Sequence, residues 1–180
     1  MTETSGSTGP AGRDRRTTDR VARHGLPPAA RRVHFVGVGG IGMSGIAEMM
    51  SGLGYDVSGS DLTASAVTAR LRELGIDVKT GHDARWVSGA DAVVVSAAVS
   101  DDNSEVVEAR RRDLPVIPRG AMLAGLARSR STVAVTGSHG KSTTSSMVAV
   151  VLAECGLDPS AVIGARVAAF GSSTRVGQGP

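Results

Sequence analysis

Short apolar runs alternate along this chain with stretches of helical spacing, and this alternation constrains the fold more than any other feature. The runs are rich in β-branched residues and lie at residues 33–38, 56–59, 77–80, 90–97, 116–118 and 132–136. Apolar residues three or four positions apart, as in helices, occur within residues 46–53, 67–74 and 106–112. Residues 92–95 are apolar on both faces, as in strands that helices cover on both sides. The pattern predicts an α/β fold with a Rossmann-like, doubly wound parallel sheet.

The composition is that of an ordinary globular protein and excludes several classes. With 180 residues, 41% of them hydrophobic, the chain has the length of one domain and a remainder. Its longest apolar run, residues 147–153, is far shorter than the ~18 residues that a membrane helix needs. The single cysteine, Cys155, excludes an intramolecular disulfide and fits a reducing compartment. We therefore expect a cytoplasmic protein without membrane insertion.

The excess of positive charge is confined to the amino-terminal segment. Residues 1–32 hold seven arginines and three acidic residues, whereas residues 33–180 hold 13 basic and 14 acidic side chains. The chain has only four aromatic residues, too few for the stacking platforms of single-strand binders, so no nucleic-acid partner is expected. Because residues 1–31 lack apolar periodicity, we predict that they form a disordered basic tail.

The order of strand, glycine loop and helix starts again at residue 132, after the polar segment 128–131. We therefore predict a first domain over residues 32–128 and the start of a P-loop α/β domain over residues 132–180. This second unit offers one strand, a helix over residues 142–155 and a strand at 161–163. So few elements do not cover both faces of a sheet, which predicts an incomplete domain.

A first glycine loop ends the first strand and begins the helix over residues 41–53. It reads Gly37-Val38-Gly39-Gly40-Ile41-Gly42. Glycines here allow either a tight turn or the close approach of a pyrophosphate to the N–H groups of the helix start. Asp61 follows 19 residues after Gly42, where an acid either binds the two hydroxyls of a ribose or caps a turn. Loop and acid together predict a site for a nucleoside diphosphate.

A second glycine loop follows the predicted strand at residues 132–136. It reads Gly137-Ser138-His139-Gly140-Lys141-Ser142-Thr143. In a nucleoside-triphosphate loop the amides cradle phosphates, the lysine reaches the β and γ oxygens, and the following hydroxyl binds Mg²⁺. Val135 occupies the place of the first glycine of the usual pattern, so a structural turn is the alternative. Lys141 is one of only two lysines beside 18 arginines, which favours the phosphate loop because a compact ammonium is needed there.

Three further side chains stand in or near predicted strands. His34 is interpreted as a packed core imidazole, and His82 either faces a ligand or caps the following turn. Neither histidine has a metal-ligand partner at suitable spacing. Ser96 lies where open α/β sheets bind ligands, so its hydroxyl is a candidate phosphate or ribose contact.

Several motifs, taken in order, resemble those of the Mur ligases. They lie at residues 34–48, 57–61, 81–82, 96–99, 118–119 and 137–143, and the resemblance extends over residues 32–170. In that family a Rossmann-like domain binds a UDP-sugar and the central domain binds ATP with Mg²⁺, which accounts for two nucleotide loops in one chain. The short form of the second loop is the family's own variant, although Ser138 and Ser142 stand where threonine is usual.

The resemblance implies a role for each matched residue. The amides of Gly39, Gly40 and Gly42 hold the UDP pyrophosphate. The side chains implied to contact the UDP-sugar are Ser60, Asp61, His82, Ser96 and Arg119. The ATP-binding residues are Gly137, Ser138, His139, Gly140, Lys141, Ser142 and Thr143, with Lys141 catalytic and Ser142 a ligand of Mg²⁺.

Within the family, the motifs look most like those of bacterial ligases that join L-alanine to the lactyl carboxylate of UDP-N-acetylmuramate. The implied reaction transfers the γ-phosphoryl group of ATP to that carboxylate, and the amine of L-alanine then displaces phosphate from the acyl phosphate. The family's acidic metal-binding stretch and its carboxy-terminal domain lie beyond residue 180. We therefore expect residues 1–180 to bind the UDP-sugar without ligating it.

Three alternatives stay open at this point. A sister ligase that reattaches a recycled tripeptide to the same UDP-sugar has the same order of domains. An NAD-dependent oxidoreductase also carries a first loop followed by an acid, but it has no need of the Lys141 loop. A non-catalytic remnant that binds the UDP-sugar is the third.

Overall fold

A computed structural model of the chain describes residues 26–27 and 29–179, in which strands and helices alternate. The strands are β1 (Arg32–Val36), β2 (Asp56–Asp61), β3 (Asp77–Thr80), β4 (Ala92–Val95), β5 (Val116–Pro118), β6 (Ala161–Val167) and β7 (Ser172–Arg175). The α-helices are α1 (Ile41–Gly52), α2 (Ala66–Glu73), α3 (Ser104–Arg111), α4 (Arg119–Arg128) and α5 (Lys141–Glu154). Short 3₁₀ helices lie at Ala84–Val87 and Ala168–Phe170. Within these described residues, no helix has the length and apolar character to cross a membrane.

The first five strands form one parallel sheet in the order β3-β2-β1-β4-β5. β1 is central, with His34 opposite Ser58 of β2 and opposite Val93 of β4. The direction of the strand order reverses between β1 and β4, and the carboxyl ends of two such strands border the crevice where open α/β sheets bind ligands. The predicted Rossmann-like, doubly wound parallel sheet is confirmed.

Helices cover both faces of this sheet, as the apolar strands predict. Because side chains alternate along a strand, Val33 and Phe35 of β1 point into a large core shared with α1 and α4. On the other face, Val36 packs with Val93 and with Ala109 of α3 in a smaller core. The second face of the sheet is therefore covered chiefly by α3.

The prediction of a strand at residues 132–136 is wrong, because this segment has no regular secondary structure. The backbone groups of a strand need a neighbouring strand as hydrogen-bonding partner. None of the strands that the structure describes pairs with this segment. The side chain of Val133 is consequently exposed and does not pack in a core.

The elements after the second loop form a small unit. β6 and β7 pair in antiparallel fashion, and both lie against α1. The contact with α1 is close, since a Cβ on Gly45 would come within 3.2 Å of Val162 Cγ1. The buried residues of α5 and the hairpin form a separate cluster of Ala149, Ile163 and Val167, while Met147 of α5 is exposed. The domain boundaries stay predictions.

The tail predicted for residues 1–31 lies largely outside the described residues, but its end belongs to the fold. Leu26 and Ala30 are buried in the large core. The carboxylate of Asp91 accepts hydrogen bonds from the amides of Arg31 and Arg32 at 2.7 and 2.8 Å, which fixes the entry into β1. The two isolated apolar residues, Leu26 and Ala30, give no periodic signal in the sequence, although they pack in the core.

Gly59 of β2 provides a test of the packing between β1 and β2. A Cβ at Gly59 would lie 2.9 Å from the backbone oxygen of Phe35 and 3.0 Å from Val38 Cβ. Since the backbone cannot move aside as a flexible side chain does, Gly59→Ala should lower the free energy of unfolding by roughly 1–3 kcal/mol in urea titrations.

The control is Gly120→Ala in α4, where an added Cβ meets nothing within 4 Å. It should leave the free energy of unfolding unchanged or raise it by roughly 0.5–1 kcal/mol. Equal stabilities for the two variants would contradict the close packing of β1 against β2.

Candidate functional site

The parallel sheet brings the predicted UDP-sugar residues to one edge. Together they lie at or just after the carboxyl ends of all five parallel strands. The first glycine loop follows β1, Asp61 ends β2, His82 follows β3, Ser96 follows β4 and Arg119 follows β5. Residues far apart in the sequence thereby meet around the crevice between β1 and β4.

The glycine loop leaves β1 in a fixed conformation. Gly37 has φ 78°, in the left-handed region that favours glycine. The amides of Gly37 and Val38 both donate to the carbonyl oxygen of Ser60 at 2.9 Å, which ties the loop to β2. α1 then begins after Gly40, and the position that would carry a Cβ on Gly42 lies 2.7 Å from Nη1 of Arg119.

The helix starts differ in how their N–H groups are satisfied. Ser65 caps α2 and Asn103 caps α3 with side-chain oxygens. No side chain caps α1 or α5, which begin after Gly40 and Gly140, or α4, which begins after Pro118. The first N–H groups of a helix have no intrahelical acceptor, so an uncapped start is suited to an anion.

Asp61 accepts a hydrogen bond from one of the amides that were predicted to bind the pyrophosphate. Its Oδ2 accepts from the amide of Gly39 at 2.8 Å, and its Oδ1 accepts from the amide of Thr63 at 3.2 Å. The first bond holds the loop and the second closes a turn, which was the alternative role for this acid. In this conformation Gly39 therefore has no amide to offer a pyrophosphate, whereas Gly40 and Gly42 stay candidates.

Arg119 supplies positive charge at the start of α1. Its guanidinium lies against Gly42, its side chain is exposed, and it forms no ion pair with any acid that the structure describes. Positive charge adds to the favourable field of the helix start for an anion. Ser96 lies on the neighbouring side of the loop, with its Cβ 3.1 Å from the position of a Cβ on Gly37.

A buried carboxylate that the sequence analysis missed lies beneath this edge. Glu105, in the first turn of α3, is fully buried. Its Oε2 lies 2.6 Å from Nε2 of His34 and accepts from the hydroxyl of Ser60 at 2.8 Å. Its Oε1 lies 2.7 Å from Nδ1 of His82. Ser58 completes the cluster, with Oγ 2.8 Å from Nδ1 of His34.

Burial raises the pKa of the Glu105 carboxyl, but the hydrogen bonds from His34, Ser60 and His82 outweigh it and bring the pKa below its ordinary value. Glu105 is therefore an anion at neutral pH and accepts from all three groups. His34 is buried, as predicted for a core imidazole. A sequence signal existed, because His34, Ser58 and Ser60 share one face of two adjacent strands and a polar partner had to cover them.

The second loop turns through two glycines with positive φ, Gly137 at 139° and Gly140 at 76°. Nζ of Lys141 donates to the carbonyl oxygens of Gly137 and Ser138, the latter at 3.1 Å, and pairs with no acid in the described part of the chain. The hydroxyl of Ser142 is partly exposed and donates to no described acceptor. His139 and Thr143 are exposed beside them. All seven predicted residues thus lie at one open helix start.

Mg²⁺ has few possible protein ligands here. Among residues 26–27 and 29–179 there is no group of three or more histidine, cysteine or acidic side chains that would hold a metal ion. Mg²⁺ commonly keeps several waters and takes phosphate oxygens together with one or two protein ligands. The hydroxyl of Ser142 fits that limited role.

The sequence model of the "Mur ligase family, catalytic domain" matches residues 32–131, which is more than half of the chain. The chain belongs to the Mur ligase family. The UDP-N-acetylmuramate–L-alanine ligases of Geotalea daltonii and Anaeromyxobacter dehalogenans are 57% and 59% identical to this Mur ligase over 148 residues. These matches cover 82% of the chain and 32% of each relative.

Two solved structures of family members have the same fold. The UDP-N-acetylmuramate-alanine ligase of Thermotoga maritima superposes with a TM-score of 0.78 at 37% identity, over 83% of this Mur ligase and 35% of that chain. The UDP-N-acetylmuramate:L-alanyl-gamma-D-glutamyl-meso-diaminopimelate ligase of Neisseria meningitides gives 0.77 at 34% identity, over 84% and 48%. The chain therefore spans less than half of either structure.

The Glu105 cluster predicts a large and specific loss of stability. Glu105→Ala leaves the buried donors of His34 and Ser60, and the partly buried donor of His82, without an acceptor, so it should lower the free energy of unfolding by about 3–5 kcal/mol. Glu108→Ala on the same helix removes a carboxylate that pairs with Arg111 and Arg112 at the surface. It should lower the free energy of unfolding far less, because a solvent-screened surface ion pair contributes little. Similar urea midpoints for the two variants would contradict the cluster.

Proposed function

We propose that this Mur ligase chain carries the UDP-sugar site and the ATP loop of an ATP-dependent ligase that joins L-alanine to UDP-N-acetylmuramate. One observation carries the proposal. The uncapped start of α1, with Arg119 against Gly42, lies at the crevice of the sheet together with Asp61, His82 and Ser96. A diphosphate supplies negative charge and acceptor oxygens for the unpaired N–H groups of this helix start. The polar side chains around it suit ribose and sugar hydroxyls.

Each predicted contact has a defined place in this proposal. The amides of Gly40 and Gly42 and the guanidinium of Arg119 bind the pyrophosphate. Asp61 and Ser96 flank the loop on its two sides and accept from hydroxyl groups of the ligand. Ser60 contributes differently, because its side chain is buried and bound to Glu105, whereas its carbonyl oxygen holds the loop.

The second loop fits ATP by the same reasoning. The start of α5 is uncapped, nothing lies within 4 Å of a Cβ on Gly140, and the Lys141 ammonium lacks an acidic partner in the described part of the chain. Nζ of Lys141 would exchange the carbonyl oxygens of Gly137 and Ser138 for phosphate oxygens. Ser142 would give Mg²⁺ one ligand, and the ion supplies neutralisation of the charge on the transferred phosphoryl group.

The proposed reaction has two steps. A carboxylate oxygen of the lactyl group attacks the γ-phosphorus of ATP, so that the γ-phosphoryl bond to ADP breaks and an acyl phosphate forms. The amine of L-alanine attacks the acyl carbon, loses a proton and expels inorganic phosphate. Lys141 stabilises the charge that spreads over the transferred oxygens. Because residues 1–180 match only 32% of each curated relative, we expect no turnover from them alone.

The choice of amino acid rests on the curated relatives. Those at 55–59% identity are named UDP-N-acetylmuramate–L-alanine ligases. The two solved structures do not separate L-alanine from a tripeptide, since their TM-scores are 0.78 and 0.77. The names of both solved ligases include UDP-N-acetylmuramate, so residues that bind this sugar do not distinguish the two ligase types. The choice of L-alanine therefore depends on the sequence relatives.

Calorimetry on the purified chain tests the UDP-sugar site. We predict saturable binding of UDP-N-acetylmuramate and no comparable binding of NAD. Binding of NAD without affinity for the UDP-sugar would identify an oxidoreductase site and end the ligase proposal. Arg119→Gln should weaken the UDP-sugar about 10-fold to 100-fold, because a charge-assisted contact to phosphate is lost. Arg128→Gln, at the far end of α4, is the matched control and should leave the affinity unchanged.

The two lysines provide a matched pair for the ATP loop. Lys141→Ala should weaken binding of a fluorescent ATP analogue with Mg²⁺ at least about tenfold, because it removes the ammonium that faces the phosphates. Lys79→Ala removes a surface lysine of β3 that pairs with Asp77 and should change nothing. Equal affinities for the two variants in a fluorescence titration would remove Lys141 from the proposed site.

A further inference from the structure

Glu105 connects the interior of the fold to the edge where the UDP-sugar is proposed to bind. Its carboxylate is fully buried and has three hydrogen-bonding neighbours, His34, His82 and Ser60, at 2.6–2.8 Å. An ionised carboxylate only accepts hydrogen bonds. Each neighbouring atom must therefore carry a proton that it donates to Glu105.

The same geometry limits which ring nitrogens carry protons. Nε2 of His34 faces Glu105 and donates to it, so in a neutral His34 ring Nδ1 accepts from the hydroxyl of Ser58 at 2.8 Å, and both nitrogens are used. In His82, Nδ1 faces Glu105 at 2.7 Å and Ser60 Oγ at 3.2 Å. Nε2 of His82 has no partner among the described residues, and its side chain is 14% exposed. His82 is thus the member of the cluster that reaches the surface.

His82 reaches the surface at the proposed site. It follows β3, and the amide of Gly81 before it donates to the carbonyl oxygen of Asp61 at 2.7 Å. Asp61 in turn binds the glycine loop through Gly39. The ring of His82 is therefore held by the buried carboxylate, and the backbone before it is linked through Asp61 to the loop that begins α1.

We infer that Glu105 is a positioning residue that holds His82 in the Nδ1–H tautomer, so that Nε2 faces the bound nucleotide-sugar as a hydrogen-bond acceptor. This inference rests on the proposed function, because it names the chemistry of the same site. An unprotonated ring nitrogen repels phosphate oxygens and binds a donor. The ligand group that His82 contacts is therefore a hydroxyl or the imide N–H of the uracil, not the pyrophosphate.

Nitrogen-15 NMR of histidine rings in the full chain tests this inference directly. In the ligand-free chain we expect His82 to show a protonated Nδ1 and an unprotonated Nε2, and His34 to show the opposite pattern. Addition of UDP-N-acetylmuramate should shift the Nε2 resonance of His82 as it accepts a hydrogen bond. A shift with UDP alone places the donor on the uridine, and a shift with the UDP-sugar only places it on the sugar.

Glu105→Gln separates positioning from packing because it preserves the shape of the side chain. The amide of glutamine can donate to Nδ1 of His82, which favours the opposite tautomer. We expect a mixed or reversed tautomer and about tenfold weaker UDP-sugar binding, as for one lost hydrogen bond. Glu108→Gln makes the same chemical change elsewhere on α3 and should alter neither the tautomer of His82 nor the affinity for the UDP-sugar.

Each failure has a distinct meaning. An Nε2-protonated His82 in the ligand-free chain, or an unchanged tautomer and affinity in Glu105→Gln, overturns the inference while leaving the proposed function intact. Absence of any UDP-sugar binding to the unsubstituted chain defeats the proposed function instead. If Glu105→Gln does not fold, the Nε2 shift in the unsubstituted chain decides alone, since its absence on ligand binding overturns the inference.

Discussion

The parallel pairing of five strands is the constraint on which the rest of the molecule depends. It places all five carboxyl ends at one edge, so that residues from Gly37 to Arg119 meet around one crevice. It also leaves helix starts at that edge, where N–H groups without intrahelical acceptors point outward. α1 is left without a side-chain cap there, while α2 and α3 are closed by Ser65 and Asn103. The proposed anion site is therefore a consequence of strand direction and of the uncapped helix start after Gly40.

The interior of the first unit supports this edge through a polar cluster. A buried carboxylate is costly unless its lost hydration is replaced by hydrogen bonds, and Glu105 receives three. Two of the donors come from adjacent strands that share one face of the sheet, His34 in β1 and Ser60 in β2. Ser60 also holds the glycine loop through its carbonyl oxygen. Core and site are consequently parts of one hydrogen-bonded arrangement.

Much of the fold follows from local sequence, and the exceptions have physical reasons. Apolar runs and helical spacing predict the five parallel strands and α1, because both patterns are local. The strand at residues 132–136 fails since strand formation needs a partner, which local sequence does not encode. Helix α4 gives little signal because it begins with Arg119-Gly120 and buries few residues. Glu105 escaped notice since an acid in a first helical turn is ordinary, and only the register of β1 against β2 shows what it covers.

We propose that the uncapped start of α1 holds the pyrophosphate of a UDP-sugar. A crystal structure of the chain with UDP-N-acetylmuramate bound would show whether it does. We expect pyrophosphate oxygens within hydrogen-bonding distance of the amides of Gly40 and Gly42, with the guanidinium of Arg119 on the same oxygens. A ligand bound away from the crevice, with Arg119 still lying against Gly42 and no phosphate oxygen near those amides, would contradict it.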